Sequence, residues 1–177
     1  MENKAIMISM SDVSKTKDII LSVDQINAVI GKTPKAAIKI RPAKGGGNWQ
    51  YVSGSYMKKQ LNRLFGWNWD FEIISEQILL DAGEVVVKGK LTCRSNGVTI
   101  VKMQYGNKDI VFKRGTQIPL SIGNDLKSAA TDALKKCAAE IGIAQDVYAP
   151  QEFKEVEVVD NSFSQVSNAE KMKNYDK

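Results

Sequence analysis

The stretch GNDLKSAATDALKKCAAEIG, residues 123–142, decides the fold. Leu126, Ala130, Ala133, Leu134, Cys137 and Ile141 recur at steps of three and four, so they form one apolar stripe of a helix. Lys127, Thr131 and Lys135 climb the other side at steps of four, with Lys136 beside them. Asn124 suits the N-cap, and Asp125 suits the positive end of the helix dipole. Gly142 stands where a left-handed terminating glycine belongs, with apolar Ile143 behind it. Small side chains at Ala129, Ala130, Ala133, Ala138 and Ala139 let such a helix lie close against a sheet or a second helix. Helix geometry alone leaves the lysines open to two readings, a solvated face or a binding face.

Upstream of this helix the periodicity changes to two. In Glu84 to Arg94, EVVVKGKLTCR, Val85, Val87, Leu91 and Cys93 share one face while Lys88, Lys90, Thr92 and Arg94 share the other. Asn96-Gly97 is a strong hairpin signal, and Val98 to Tyr105 returns beside the first strand. A strand from Trp67 onward places Trp69, Phe71 and Ile73 opposite Asn68, Asp70 and Glu72. Together these predict an α+β fold: an antiparallel β-meander of three to four strands with a long helix packed across it. Gly106 to Ile122 reads as a long connection carrying Lys108, Lys113 and Arg114.

Two shorter helices precede the sheet. Ser22 and Gln25 have the spacing of a capping box before Ile26, Val29 and Ile30, and Gly31 and Pro34 end that helix. Ser53 caps a second helix running to about Phe65; Met57, Leu61, Leu64 and Phe65 face inward, while Lys58, Lys59, Asn62 and Arg63 face outward. Gly66 stops it. Between the two lies a basic stretch with Lys32, Lys35, Lys39, Arg41 and Lys44, followed by Trp49 and Tyr51. Cations interleaved with aromatics suit phosphates and stacked bases, and equally suit an edge strand guarded against aggregation. The tryptophans at 67 and 69 read as core or interface anchors rather than base-stacking groups.

The chain has 177 residues and a net charge of +5, unevenly spread. Residues 151–177 hold six acids and four bases, so residues 1–150 carry twenty-one bases against fourteen acids. A basic body with an acidic tail points to a polyanionic partner. The expected organisation is a flexible segment at 1–20, a core at 21–150 and a disordered acidic tail at 151–177. There is no apolar run long enough to cross a membrane and no signal-peptide layout, and two cysteines without a disulfide framework fit a reducing cytoplasm.

Several chemistries are excluded. The chain has no histidine, which removes serine– or cysteine–histidine catalysis and histidine metal sites. Gly31-Lys32-Thr33 resembles the end of a phosphate-binding loop, but Ile26 occupies the place of its first glycine. Gly45–Gly47 is not a dinucleotide fingerprint, because Gln50 replaces the third glycine. No enzyme activity and no cofactor are expected.

Two stretches in order resemble a known family. GGGNWQYVSGSYMKKQLNRLFGWNWDF, residues 45–71, joins a glycine-rich loop, an aromatic strand, a helix and a Phe-Gly-Trp-Asn segment. KSAATDALKKCAAEIG, residues 127–142, follows Gln104-Tyr105-Gly106. Both are similar to the DNA-binding core of the Rad-fifty-two family of single-strand annealing proteins, including its phage branch, over about residues 22–148. The resemblance implies a homo-oligomeric ring with single-stranded DNA in a basic groove around it, and annealing of complementary strands without ATP. It places Lys135 and Lys136 on the family's paired basic residues. Tyr56 and Ala139 stand where animal members carry arginines, which leaves Lys58, Lys59, Lys113 and Arg114 to compensate.

The expected DNA-binding set is therefore Lys135, Lys136, Lys127, Tyr56, Lys58, Lys59, Lys88, Lys90, Arg94, Lys113 and Arg114. The expected partners are single-stranded DNA, further copies of the chain, and a host single-strand binding protein docked by the tail, in a bacterial cytoplasm if a phage encodes the protein. Two other readings stay open: a protector of single strands or DNA ends that does not anneal, and a ring-forming structural protein whose basic face meets another partner.

Overall fold

The computed structural model describes residues 6–9, 21–43, 45–153 and 156–159. Helix α1, Val23–Ile30, starts with the capping box: Gln25 N donates to Ser22 Oγ at 3.3 Å, and Ser22 N donates to Gln25 Oε1 at 2.8 Å. A 3₁₀ turn at Lys35–Ala37 leads to strand β2, Ile38–Pro42, which pairs antiparallel with β3, Asn48–Val52. Gly46 and Gly47 turn this hairpin with φ of 91° and 76°. Helix α2, Gly54–Phe65, is capped by Ser53, whose Oγ accepts from Tyr56 N at 3.1 Å.

Strands β4 (Trp69–Leu79), β5 (Glu84–Ser95) and β6 (Val98–Asp109) form the antiparallel meander in that order. Asn96 and Gly97 take φ of 48° and 78°, the positive pair that a two-residue hairpin turn requires. Two boundaries differ from the sequence reading. β6 runs on to Asp109, so Lys108 is a strand residue opposite Val85. β4 extends to Leu79 through an irregularity between Ile73 and Ser75, which breaks the simple alternation after Ile73.

Helix α3, Ile122–Ala139, lies across β5 and β6. Its approach is close because the strands offer glycine beneath it. A Cβ on Gly106 would fall 2.2 Å from Ala129 O and Ala133 N. A Cβ on Gly89 would meet Phe71 at 2.4 Å and Ala133 Cβ at 3.1 Å. This contact sets the rotation of the helix. Ala129, Ala133, Leu134, Cys137 and Ala138 are buried, whereas Leu126, Ala130 and Ile141 are half-buried at the margin. The cap also moves: Ser121, not Asn124, is the N-cap, and Asn124 N points back to Ser121 Oγ at 3.4 Å. Asp125 is buried and accepts from Val111 N at 3.3 Å, so it pins the β6–α3 connection as well as meeting the dipole. Gly142, at φ 113°, ends the helix as expected, with Ile143 buried behind it.

The main core joins Met57, Leu61, Leu64 and Phe65 of α2 to Leu91 and Cys93 of β5 and to Leu134 and Cys137 of α3. Each fully buried leucine among these contributes about 1.5–3 kcal/mol. A second cluster holds Val85, Val87, Ile110 and Ala129 at the far end of the helix. The one-turn helix α4, Gln145–Tyr148, is tied to the α1–β2 connection through Asp146, whose carboxylate accepts from Thr33 N at 2.9 Å and Thr33 Oγ1 at 2.6 Å.

One element has no counterpart in the sequence reading. β1, Ile6–Ser9, pairs in parallel with β7, Val156–Val159, in segments expected to lie outside the fold. The rest of the flexible N-terminal segment and of the acidic tail, including its expected docking of a single-strand binding protein, lies outside the described residues.

Candidate nucleic-acid interface

The β2–β3 register sets Lys39 opposite Tyr51 and Arg41 opposite Trp49. Directly opposed and alternate residues share a face, so one side of this hairpin carries Lys39, Arg41, Trp49 and Tyr51. That side meets helix α3. Lys135 Nζ lies 5.8 Å from the centre of the Tyr51 ring, and Arg41 Cζ lies 5.7 Å from it. Each contact stabilises by about 0.5–1 kcal/mol where solvent reaches it, more where it does not. Tyr148 adds a polar tie: its hydroxyl bonds the Val52 backbone, while burial raises its pKa.

The lysine pair is not equivalent. Asp132 lies one turn earlier and receives both ammonium groups, Lys135 Nζ at 3.4 Å and Lys136 Nζ at 3.2 Å. The side chain of Lys135 is 16% exposed, held between Asp132 and Tyr51; that of Lys136 is 46% exposed. Lys136 therefore presents charge outward, while Lys135 joins the hairpin to the helix. A cleft of about 400 Å³ opens beside Lys136, bounded by Gln104, Glu140, Gln145 and Tyr148. Ala139 lines it too, so the cleft occupies the place where a longer side chain would project. Gln104 donates to Glu140 across its rim.

The other expected residues are spread over the sheet, the connection after β6, α2 and the N-terminal half of α3. Lys88, Lys90 and Arg94 stand on the sheet face turned away from α3. There Lys90 pairs with Glu72 at 3.2 Å, Arg94 with Asp70 at 2.5 Å, and Lys88 lies over the Tyr105 ring at 5.7 Å. Lys113 and Arg114 are exposed on the connection after β6. Lys58 and Lys59 are exposed on α2, with Lys58 beside Thr131 and Leu134 of α3. Lys127 is exposed two turns before Lys135. Tyr56 is half-buried in a different cleft with Lys32, Thr33 and Arg63; burial raises its pKa against a hydrogen bond from Thr33. Lys58 and Lys127 thus adjoin the Thr131 flank of α3 that also carries Lys135, whereas Tyr56 lines a cleft separate from the one beside Lys136.

Trp69 and Trp67 diverge. Trp69 Nε1 donates to Asn62 Oδ1 at 2.8 Å and the ring packs against the core, as an anchor should. Trp67 is 79% exposed at φ 64°. Asp132 escaped the sequence reading, although its spacing to both lysines was visible there. The Lys135–Tyr51 contact joins residues 84 positions apart and had no local signal.

Between Asp24 and Asp70 there is no acidic residue. An α+β domain that sets cations and aromatics side by side along such a stretch has the surface make-up of a polyanion-binding protein. The family described as Rad52/22 family double-strand break repair protein matches residues 23–165. The chain belongs to that family. No curated protein matches it.

Proposed function

We propose that this protein binds single-stranded DNA and anneals complementary strands in recombinational repair. The observation that carries this reading is the surface formed by Lys39, Arg41, Trp49, Tyr51, Lys135 and Lys136, within a family of double-strand break repair proteins. Two bare strands repel through their phosphates. Neutralising those of one strand lowers that barrier, and the neutralisation is independent of sequence because phosphates carry no base information. No nucleotide is consumed in this scheme, and Ile26 in helix α1 where a phosphate-binding loop needs glycine supports that.

The active form is a closed ring of identical subunits. Its support is the edge strand β4, which carries Ile73, Ile74, Ile78 and Leu79 exposed, with Leu80 just beyond it. Exposed apolar groups on an unpaired sheet edge mark a surface that a second chain covers. A ring would also bring the dispersed cations of neighbouring subunits into one continuous path.

Mixing two complementary oligonucleotides with the protein, without ATP, tests the reading. The expected result is faster duplex formation than in buffer. Tight single-strand binding without acceleration would assign a protecting role instead, and no salt-dependent binding would remove DNA as the partner. Sedimentation should show a species many times the 19.6 kDa chain; a monomer at micromolar concentration would overturn the ring.

A further inference from the structure

We infer that Trp49 is a nucleobase-stacking platform, distinct in task from the phosphate-binding lysine, Lys136, of the adjoining helix. The inference rests on the proposed single-strand binding and deepens it. The hairpin offers two aromatic rings on one face, and the structure gives them different duties. Tyr51 is occupied: Arg41 and Lys135 both lie over its ring, at 5.7 and 5.8 Å. It serves as the joint between hairpin and helix. Trp49 is two residues along the same strand, about 7 Å away. It is 60% exposed, on the same face and directly opposite Arg41.

A large apolar ring exposed on a two-stranded element suits a partner that brings its own π-face. The neighbourhood selects the class of that partner. The acid-free stretch around it repels cationic ligands and attracts anionic ones. A nucleotide in a single strand supplies both parts, a phosphate for the cations and a base for the indole. Stacking on an aromatic ring tolerates any base, so this platform adds affinity without adding sequence preference. It also explains the separation of the two groups: the backbone runs along Lys136 on the helix while the base turns toward the hairpin.

The test uses the full-length protein and two probes of equal length and charge, a thymidine 30-mer and the same oligonucleotide with abasic residues throughout. The parent should bind the thymidine strand more tightly than the abasic one. Trp49→Ala should lose about tenfold for the thymidine strand and change little for the abasic strand, with the salt dependence unaltered. Trp49→Phe should restore most of the difference. Equal loss on both probes, or an altered salt slope, would make Trp49 a support for the cations and overturn the platform. A change in oligomer size would make it a subunit contact, which overturns it also. If the parent itself binds neither probe, the single-strand reading falls first; if the parent binds both probes and Trp49→Ala binds like the parent, only the platform falls.

Discussion

The protein carries two basic surfaces, and they are built to opposite rules. On the outward face of the β4–β6 sheet, cations meet anions from the neighbouring strand: Lys90 with Glu72, Arg94 with Asp70. Around them Val101, Met103 and Tyr105 are exposed. The hairpin itself has no such neighbours along the chain, since residues 25 to 69 are free of carboxylates. There the cations meet aromatic rings, and a single acid, Asp132, holds two lysines. Counting positive charge would rank the two surfaces alike. The difference lies in what each cation already touches: on the sheet face Lys90 and Arg94 pair with anions of the neighbouring strand, whereas on the hairpin Arg41 meets an aromatic ring.

The largest expected effect follows from stripping the charged flank. Changing both Lys135→Ala and Lys136→Ala should weaken single-strand binding at least about tenfold and flatten its salt dependence by about 0.7 per lost phosphate contact. The helix should persist, because alanine favours it and neither lysine lies in the core. Binding measured at several salt concentrations decides; unchanged affinity would erase the contrast between the two surfaces.

Asp132→Asn sharpens the contrast in the opposite direction. Each ion pair one turn apart on a helix is worth about 0.3–0.5 kcal/mol, so freeing both lysines should raise affinity about three- to fivefold. A titration at low salt reads this. A loss of affinity would mean that Asp132 positions the lysines rather than competing with phosphate for them.

The smallest effect belongs to the sheet. Lys90→Gln with Arg94→Gln should alter single-strand binding by less than about twofold, and each broken pair should cost the fold about 0–1 kcal/mol. A tenfold loss on this double variant would move the groove to the outward face.

Much of the fold was legible in the sequence, and the reasons it was or was not are local. The meander could be read because Val85, Val87, Leu91 and Cys93 alternate and Asn96-Gly97 demands one turn. The long helix could be read too, but not its rotation. Hydrophobicity favours Leu126 as a core residue; the structure favours the alanines, because only small side chains fit over Gly106 and Gly89. That preference belongs to two strands elsewhere in the sequence. The irregularity after Ile73 left no mark in the pattern either. At the interface, helical periodicity placed Lys136 on the outer side of the helix, and a binding role for it was readable only from the family resemblance. The role of Lys135 was not, since it depends on Tyr51 arriving from another sheet.

The parallel pairing of β1 with β7 makes a loop of the chain. Ile6 aligns with Val156, so four residue pairs close a circuit of about 150 residues. For an unstructured chain that closure costs about 4 kcal/mol in entropy, more than so short a ribbon returns. The circuit closes cheaply only after the intervening body has brought its ends together. The ribbon is then a clasp fastened last, and a reporter attached at either of its strands reads whether the whole body beneath has been completed.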